Sequence, residues 1–135
     1  MEEGVVSLTI TTEKRREGFY LVAVGGRLDS NTYPQFEEKL AELLTNGVQL
    51  VTFDMEALEY ISSMGLRAIF RAREAIKAQN GSIVLTKVQP QVARVFELAN
   101  TLRHVPIFES IEEADRFFDV IQRMELEKQA ESKNS

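Results

Sequence analysis

The chain has 135 residues, of which 44% are hydrophobic and 27% charged, and it carries a formal net charge of −5. That length and composition suit one soluble globular domain able to bury its own core. It contains no cysteine, which excludes disulfides and thiolate metal sites and fits a reducing compartment. The acidic balance, with no run of Lys and Arg, argues against nucleic acid as a partner, because phosphate binding needs clustered cations. Met1-Glu2-Glu3 is acidic where a secretory leader is basic. No segment nears the roughly 20 apolar residues that a bilayer span requires. A soluble, cytoplasmic protein with no membrane partner is expected.

Residues 5–12 (VVSLTITT) are rich in β-branched side chains. Val6, Leu8 and Ile10 recur at every second position, as in a half-buried strand. Residues 13–18 are charged and end in Gly18, which reads as a turn. Residues 19–24 (FYLVAV) form a second strand, so the two make a hairpin that Gly25-Gly26 breaks. The segment 26–47 holds the first helix and its entry. Phe36, Leu40, Leu43 and Leu44 share one helical face, Thr32 and Gln35 have capping-box spacing, and Pro34 belongs in the first turn. Asn46-Gly47 supplies the stop.

A buried strand from Leu50 to Phe53 follows, then the segment Asp54 to Ile61, then a second helix from about Ser63. That helix sets Leu66, Ile69, Phe70 and Arg73 on one side, with the arginine snorkelling at its edge, and ends at Asn80-Gly81. Residues 82–86 (SIVLT) are a fourth strand. Pro90 opens a third helix with Val92, Val95, Phe96 and Ala99 inward, and a short strand lies around Ile107-Phe108. Ser110-Ile111-Glu112-Glu113 is a capping box for a last helix that turns Ala114, Phe117, Phe118 and Ile121 inward. Its apolar stripe stops near Met124.

The expected fold is a single α/β domain over residues 4–124, followed by a polar tail at 125–135. A mixed sheet of four to five strands opens with the N-terminal hairpin and is flanked by about four helices.

Little in the chain suggests catalysis. His104 is the only histidine, so no multi-histidine metal site exists, and a Ser/His/Asp triad would have to use it. No phosphate-binding G-x-x-x-x-G-K-[ST] loop is present, and Gly25-Gly26 lacks G-x-G-x-x-G spacing. No enzyme activity, cofactor or metal is expected. Asp29 and Asp54 lie near strand ends, where α/β sheets collect their sites, although each also suits a turn or cap. Ser62 and Ser63 stand where a helix N-cap belongs. Gly65 in the first turn costs about 1 kcal/mol against Ala in a purely structural helix. On sequence grounds it is read as keeping the backbone and Ser63 open to another surface.

The stretch Asp54-Met55-x-x-Leu58-x-Tyr60-Ile61-Ser62-Ser63-Met64-Gly65-Leu66 resembles the phosphorylation segment of STAS-domain anti-sigma factor antagonists. Their pattern is an aspartate, a hydrophobic stretch with an aromatic, then Asp-Ser-Ser/Thr-Gly-Leu. Gly26-Arg27-Leu28-Asp29-Ser30 is similar to the family's Gly-Glu-Leu/Ile-Asp turn. Gly81-Ser82-Ile83-Val84-Leu85 is similar to its fourth strand, and Arg94-Val95-Phe96-Glu97-Leu98 to its Arg-Leu-Phe-Asp helix. Two positions depart from the pattern: Ser62 replaces the aspartate before the acceptor serine, and Met64 replaces the Ser/Thr after it.

The resemblance implies a STAS fold and a protein-binding switch. An anti-sigma factor serine kinase would be bound, releasing a sigma factor, until the kinase phosphorylates the antagonist. A cognate phosphatase would reset it. Ser63 falls on the acceptor, and Ser62 is the second candidate. Asp29, Ser30, Asp54, Ser62, Ser63, Met64, Gly65 and Arg67 are the expected partner-binding set, with Asp29 and Asp54 flanking the acceptor. Two alternatives stay open at this point. One is a constitutive STAS scaffold or lipid-transport subunit. The other is a receiver-like domain phosphorylated on Asp54, against which stands Thr11-Thr12 where an acidic pair is expected.

Overall fold

The computed structural model describes residues 7–44, 47–99 and 107–134. The elements in chain order are β1 (Leu8–Arg16), β2 (Phe19–Leu28), α1 (Tyr33–Leu43), β3 (Leu50–Asp54), β4 (Leu58–Ile61) and α2 (Ser63–Lys77). They continue with β5 (Ser82–Thr86), α3 (Pro90–Ala99), β6 (Ile107–Phe108) and α4 (Ile111–Asn134). The six strands form one mixed sheet in the order β1-β2-β3-β5-β6, with β4 also pairing β2. Among the described residues only β1 and β2 pair antiparallel; the other pairings are parallel. Parallel neighbours cannot be joined by a tight turn, which is why helices intervene between them.

The hairpin is longer than the sequence pattern suggests. Charged residues 13–16 stay in β1, because an edge strand tolerates solvated charges and is protected by them from further pairing. Gly25-Gly26 does not end β2 either. Gly26 takes φ +85° beside the irregularity where the register slips between Gly26 and Arg27, and the strand runs on to Leu28. Below that point β2 pairs β3 (Phe19↔Leu50 to Ala23↔Asp54), and above it β2 pairs β4 (Leu28↔Ile61). β4 is the strand that periodicity misses. Its burial runs buried, exposed, exposed, buried across Leu-Glu-Tyr-Ile, a spacing of three with no alternation.

Successive strand residues point to opposite faces. On one face Val22, Val24, Val51, Phe53, Ile83 and Leu85 form the main core with Phe36 and Leu40 of α1 and Leu66, Ile69 and Ile76 of α2. The Phe36 and Phe53 rings lie 6.0 Å apart. On the other face α4 covers part of the sheet, where Ala114 is buried with Leu50 and Val84 and packed by Phe19 and Phe108. Ion pairs from Arg15 to Asp115 (3.0 Å) and Arg16 to Asp119 (3.6 Å) join α4 to the hairpin.

The helix faces follow the sequence expectation for Leu66, Ile69, Val92 and Phe96, which are buried. Arg73 lies at the edge of its helix against Glu74. Phe117, expected inward, is 40% exposed and leans on Phe108 with ring centroids 5.2 Å apart. Val6, Asn46 and His104 lie outside the described residues, as do the side chains of Ala99, Phe118 and Ile121. The capping box at α4 appears in its forward half, with Glu113 N–H donating to Ser110 Oγ at 3.1 Å. The one at α1 does not form: Thr32 makes no side-chain cap, and Gln35 instead donates to the Leu8 carbonyl at 3.2 Å. The α4 backbone stays helical to Asn134, past Met124 where the apolar stripe stops.

Candidate functional site

Because β2 and β4 run parallel and in register at Leu28↔Ile61, their carboxyl ends meet at one edge of the domain. The Ser62 N–H donates to the Leu28 carbonyl at 2.9 Å, extending the ladder by one rung. The chain then turns straight into α2. Ser62 is its N-cap, extended at φ −96° and ψ 177°, and its Oγ accepts from the Gly65 N–H at 3.2 Å. Its carbonyl accepts from the Leu66 N–H at 2.8 Å. A cap of this kind is worth about 1 kcal/mol against Ala. Ser63, the first residue of α2, is exposed, whereas Ser62 is partly buried.

Gly65 has a different reason from the one its sequence position suggests. It is buried, and a Cβ there would overlap the Leu28 carbonyl oxygen and stand 2.9 Å from the Leu28 carbonyl carbon. The glycine lets α2 seat directly on the end of β2. It serves that close approach and is not part of an open surface.

Asp29 follows β2 at the same edge. Its Oδ1 accepts from the Asn31 N–H (3.0 Å) and the Thr32 N–H (3.2 Å), and the Thr32 hydroxyl lies 3.3 Å away. Its Oδ2 lies 3.4 Å from Arg27 Nε. Burial, the largest single influence, pushes this carboxyl upward, but the bonds from Asn31, Thr32 and Arg27 together outweigh it and hold it below its usual 3.8. The carboxylate therefore pins the loop that leads into α1. Arg27 also stacks on Tyr60, its partner across β2 and β4, with the guanidinium carbon 4.1 Å from the ring centroid.

Ser30 is exposed in the turn, Met64 is partly buried, and Arg67 is exposed one helical turn beyond Ser63. These residues gather with Asp29, Ser62 and Ser63 around the joined ends of β2 and β4. Asp54 does not join them. It pairs with Ala23, five residues before Leu28 on β2, which places it about 16 Å away along the strand. Its Oδ1 accepts from the Glu56 N–H at 3.1 Å, and it lines a concavity with Thr9, Thr11 and Ala23. Of the two aspartates expected to flank Ser63, Asp29 follows β2 at this edge and Asp54 lies away from it. Among the described residues no group of three or more His, Cys, Asp or Glu could hold a metal ion, and no helix is long and apolar enough to cross a membrane.

Arg27 and Tyr60 are members of this edge that sequence pattern passed over. The signal for them is the pairing of β4 with β2, which only the register reveals.

A mixed sheet whose short strand β4, paired alongside β2, feeds a serine-capped helix, with a pinned aspartate beside it, is the frame of a small single-domain α/β protein. The STAS domain profile matches residues 11–114, and the chain belongs to that family. It is 31% identical over 107 residues to BtrV of Bordetella bronchiseptica, named as an anti-sigma factor antagonist, covering 79% of this chain and 92% of that one. It is 28% identical over 102 residues to the anti-sigma-B factor antagonist of Staphylococcus aureus, covering 74% and 92%. The fold superposes on the unphosphorylated anti-sigma factor antagonist SpoIIAA with a TM-score of 0.72 at 20% identity, covering 82% of this chain and 97% of that one.

Proposed function

We propose that this chain is an anti-sigma factor antagonist whose Ser63 edge binds an anti-sigma factor kinase, and that phosphorylation of Ser63 ends the binding. The observation that carries this reading is the division of labour between the two serines. Ser62 spends its hydroxyl on the helix cap, while Ser63 stands exposed beside it at the same strand end. The matching relatives named as antagonists support the role. In this scheme the antagonist contributes no catalytic group. The kinase transfers the terminal phosphoryl group of ATP to the serine oxygen, releasing ADP and the hydroxyl proton, and lets go; a phosphatase then uses water to restore the hydroxyl and release inorganic phosphate.

The switch acts at the contact surface and not in the fold. Phosphoserine carries about −1.5 to −2 charges at neutral pH. The first turn of a helix favours anions, so the domain tolerates the group. A partner surface arranged for a hydroxyl must instead strip water from a dianion lying near the Asp29 carboxylate. Such a poorly paired buried charge costs several kcal/mol, which is the scale a decisive population shift requires.

Two variants test the reading. Ser63→Ala keeps partner binding and abolishes an acid-stable phosphate. Ser63→Glu melts within about 1 kcal/mol of wild type, while calorimetry shows affinity falling by two orders of magnitude or more. An Ala variant that still accepts phosphate, with loss in Ser62→Ala, moves the acceptor by one residue. An acid-labile phosphate lost in Asp54→Asn supports the receiver-like alternative. A Glu variant that binds as tightly as wild type defeats the switch.

A further inference from the structure

Resting on that reading, we infer that Arg67 is the intramolecular counter-ion of the phosphate on Ser63. Modification would then change the binding face twice: it adds an anion and withdraws a cation. Ser63 and Arg67 are both exposed on α2 and stand four residues apart, neighbours on one helical face with Cβ atoms about 5–6 Å apart. Helical side chains lean toward the N-terminus, so Arg67 covers the turn that holds Ser63. An anion N-terminal to a cation at this spacing is the favoured order.

The surrounding charges leave the pairing open. Among the described residues Arg67 makes no ion pair, whereas Arg27 faces Asp29, Arg71 meets Glu37 one turn further along α2, and Arg73 meets Glu74. The Asp29 carboxylate is engaged by its own loop and by Arg27. The first turn of α2 has no acidic residue, and the capping position is the neutral Ser62. An aspartate there would compete for Arg67 and repel the phosphate. Tyr60, under Arg27, adds no charge. A guanidinium matches a phosphate through two parallel hydrogen bonds, so the pair is stronger than an ordinary surface contact.

The test installs phosphoserine at position 63 by genetic encoding, so no kinase is needed, and follows the second ionisation of the phosphate by phosphorus NMR. In wild type this ionisation falls at a pH about 0.2–0.4 lower than in Arg67→Gln, with Arg67→Lys between them. The difference shrinks at high salt. Coincident titration curves for wild type and Arg67→Gln overturn the pairing. Capture of an anti-sigma factor by the unmodified protein is assayed separately. A titration difference without such capture upholds the pairing and removes the switch; capture with coincident curves does the reverse.

Discussion

The two long helices, α2 and α4, are held to the same sheet in opposite ways. α2 buries six of its 15 residues, caps itself with Ser62 and rests on the Leu28 carbonyl with only a glycine between. α4 runs for 24 residues, yet Ala114 is its one fully buried side chain among those described. Half-exposed ion pairs from Arg15 and Arg16 tie α4 down, and exposed pairs of this kind are worth about 0–1 kcal/mol each. Precision is thus concentrated at the start of α2, where the proposed acceptor stands, and is spent sparingly at the far end of the chain.

The largest expected effect breaks α2's seat. Gly65→Ala forces a methyl against the Leu28 backbone, which cannot give way as a flexible side chain would. The expected loss is at the top of the roughly 1–3 kcal/mol typical of overpacking, read from denaturant midpoints. A loss below about 0.5 kcal/mol would mean that α2 can lift off β2 freely. Next comes Asp29→Ala, which removes a carboxylate with several donors and costs about 2 kcal/mol. Because the folded carboxyl lies below its usual value, its contribution is complete above about pH 4 and fades as pH falls through the folded value. Wild type should therefore lose its advantage over Asp29→Ala on acidification from pH 5 to 2; a constant gap would show that the charge plays no part.

Ser62→Ala should cost about 1 kcal/mol, the ordinary value of a cap, while leaving Ser63 phosphorylation intact. The smallest effect belongs to α4. Truncation after Met124 should shift stability by no more than about 0.5 kcal/mol, since the residues removed continue a helix beyond its apolar stripe. A marked drop in melting temperature would make the end of α4 part of the domain and erase the contrast with α2.

How much of this could be read beforehand follows from which interactions are local. The helix faces of α2 and α3 were legible because their apolar spacing is set by the turn they sit on. The start of α2 was legible from Ser62-Ser63, whose capping chemistry involves residues three apart. What failed depended on distant partners. Thr32 and Gln35 have the spacing of a capping box, but the Arg27 and Leu8 carbonyls claim their side chains. β4 is recognisable only beside β2, and without it Asp54 looks adjacent to Ser63 when it is about 16 Å away along the strand. Gly65 stands out locally as a costly residue in a first helical turn, but its cause is distant, because the Leu28 carbonyl it accommodates is 37 positions earlier in the chain.

The contact between Gly65 and Leu28 also limits what kind of signal this domain can carry. One route for long-range communication in proteins is an element with two discrete resting places, such as a helix that slides or rotates between packings. A helix backbone lying against a strand carbonyl, with no side chain to repack between them, has no second place to rest. If Ser63 is the acceptor proposed above, this seat offers its modification no helix shift by which to reach the opposite side of the sheet. A partner that reads the proposed modification would then do so by touching this edge itself.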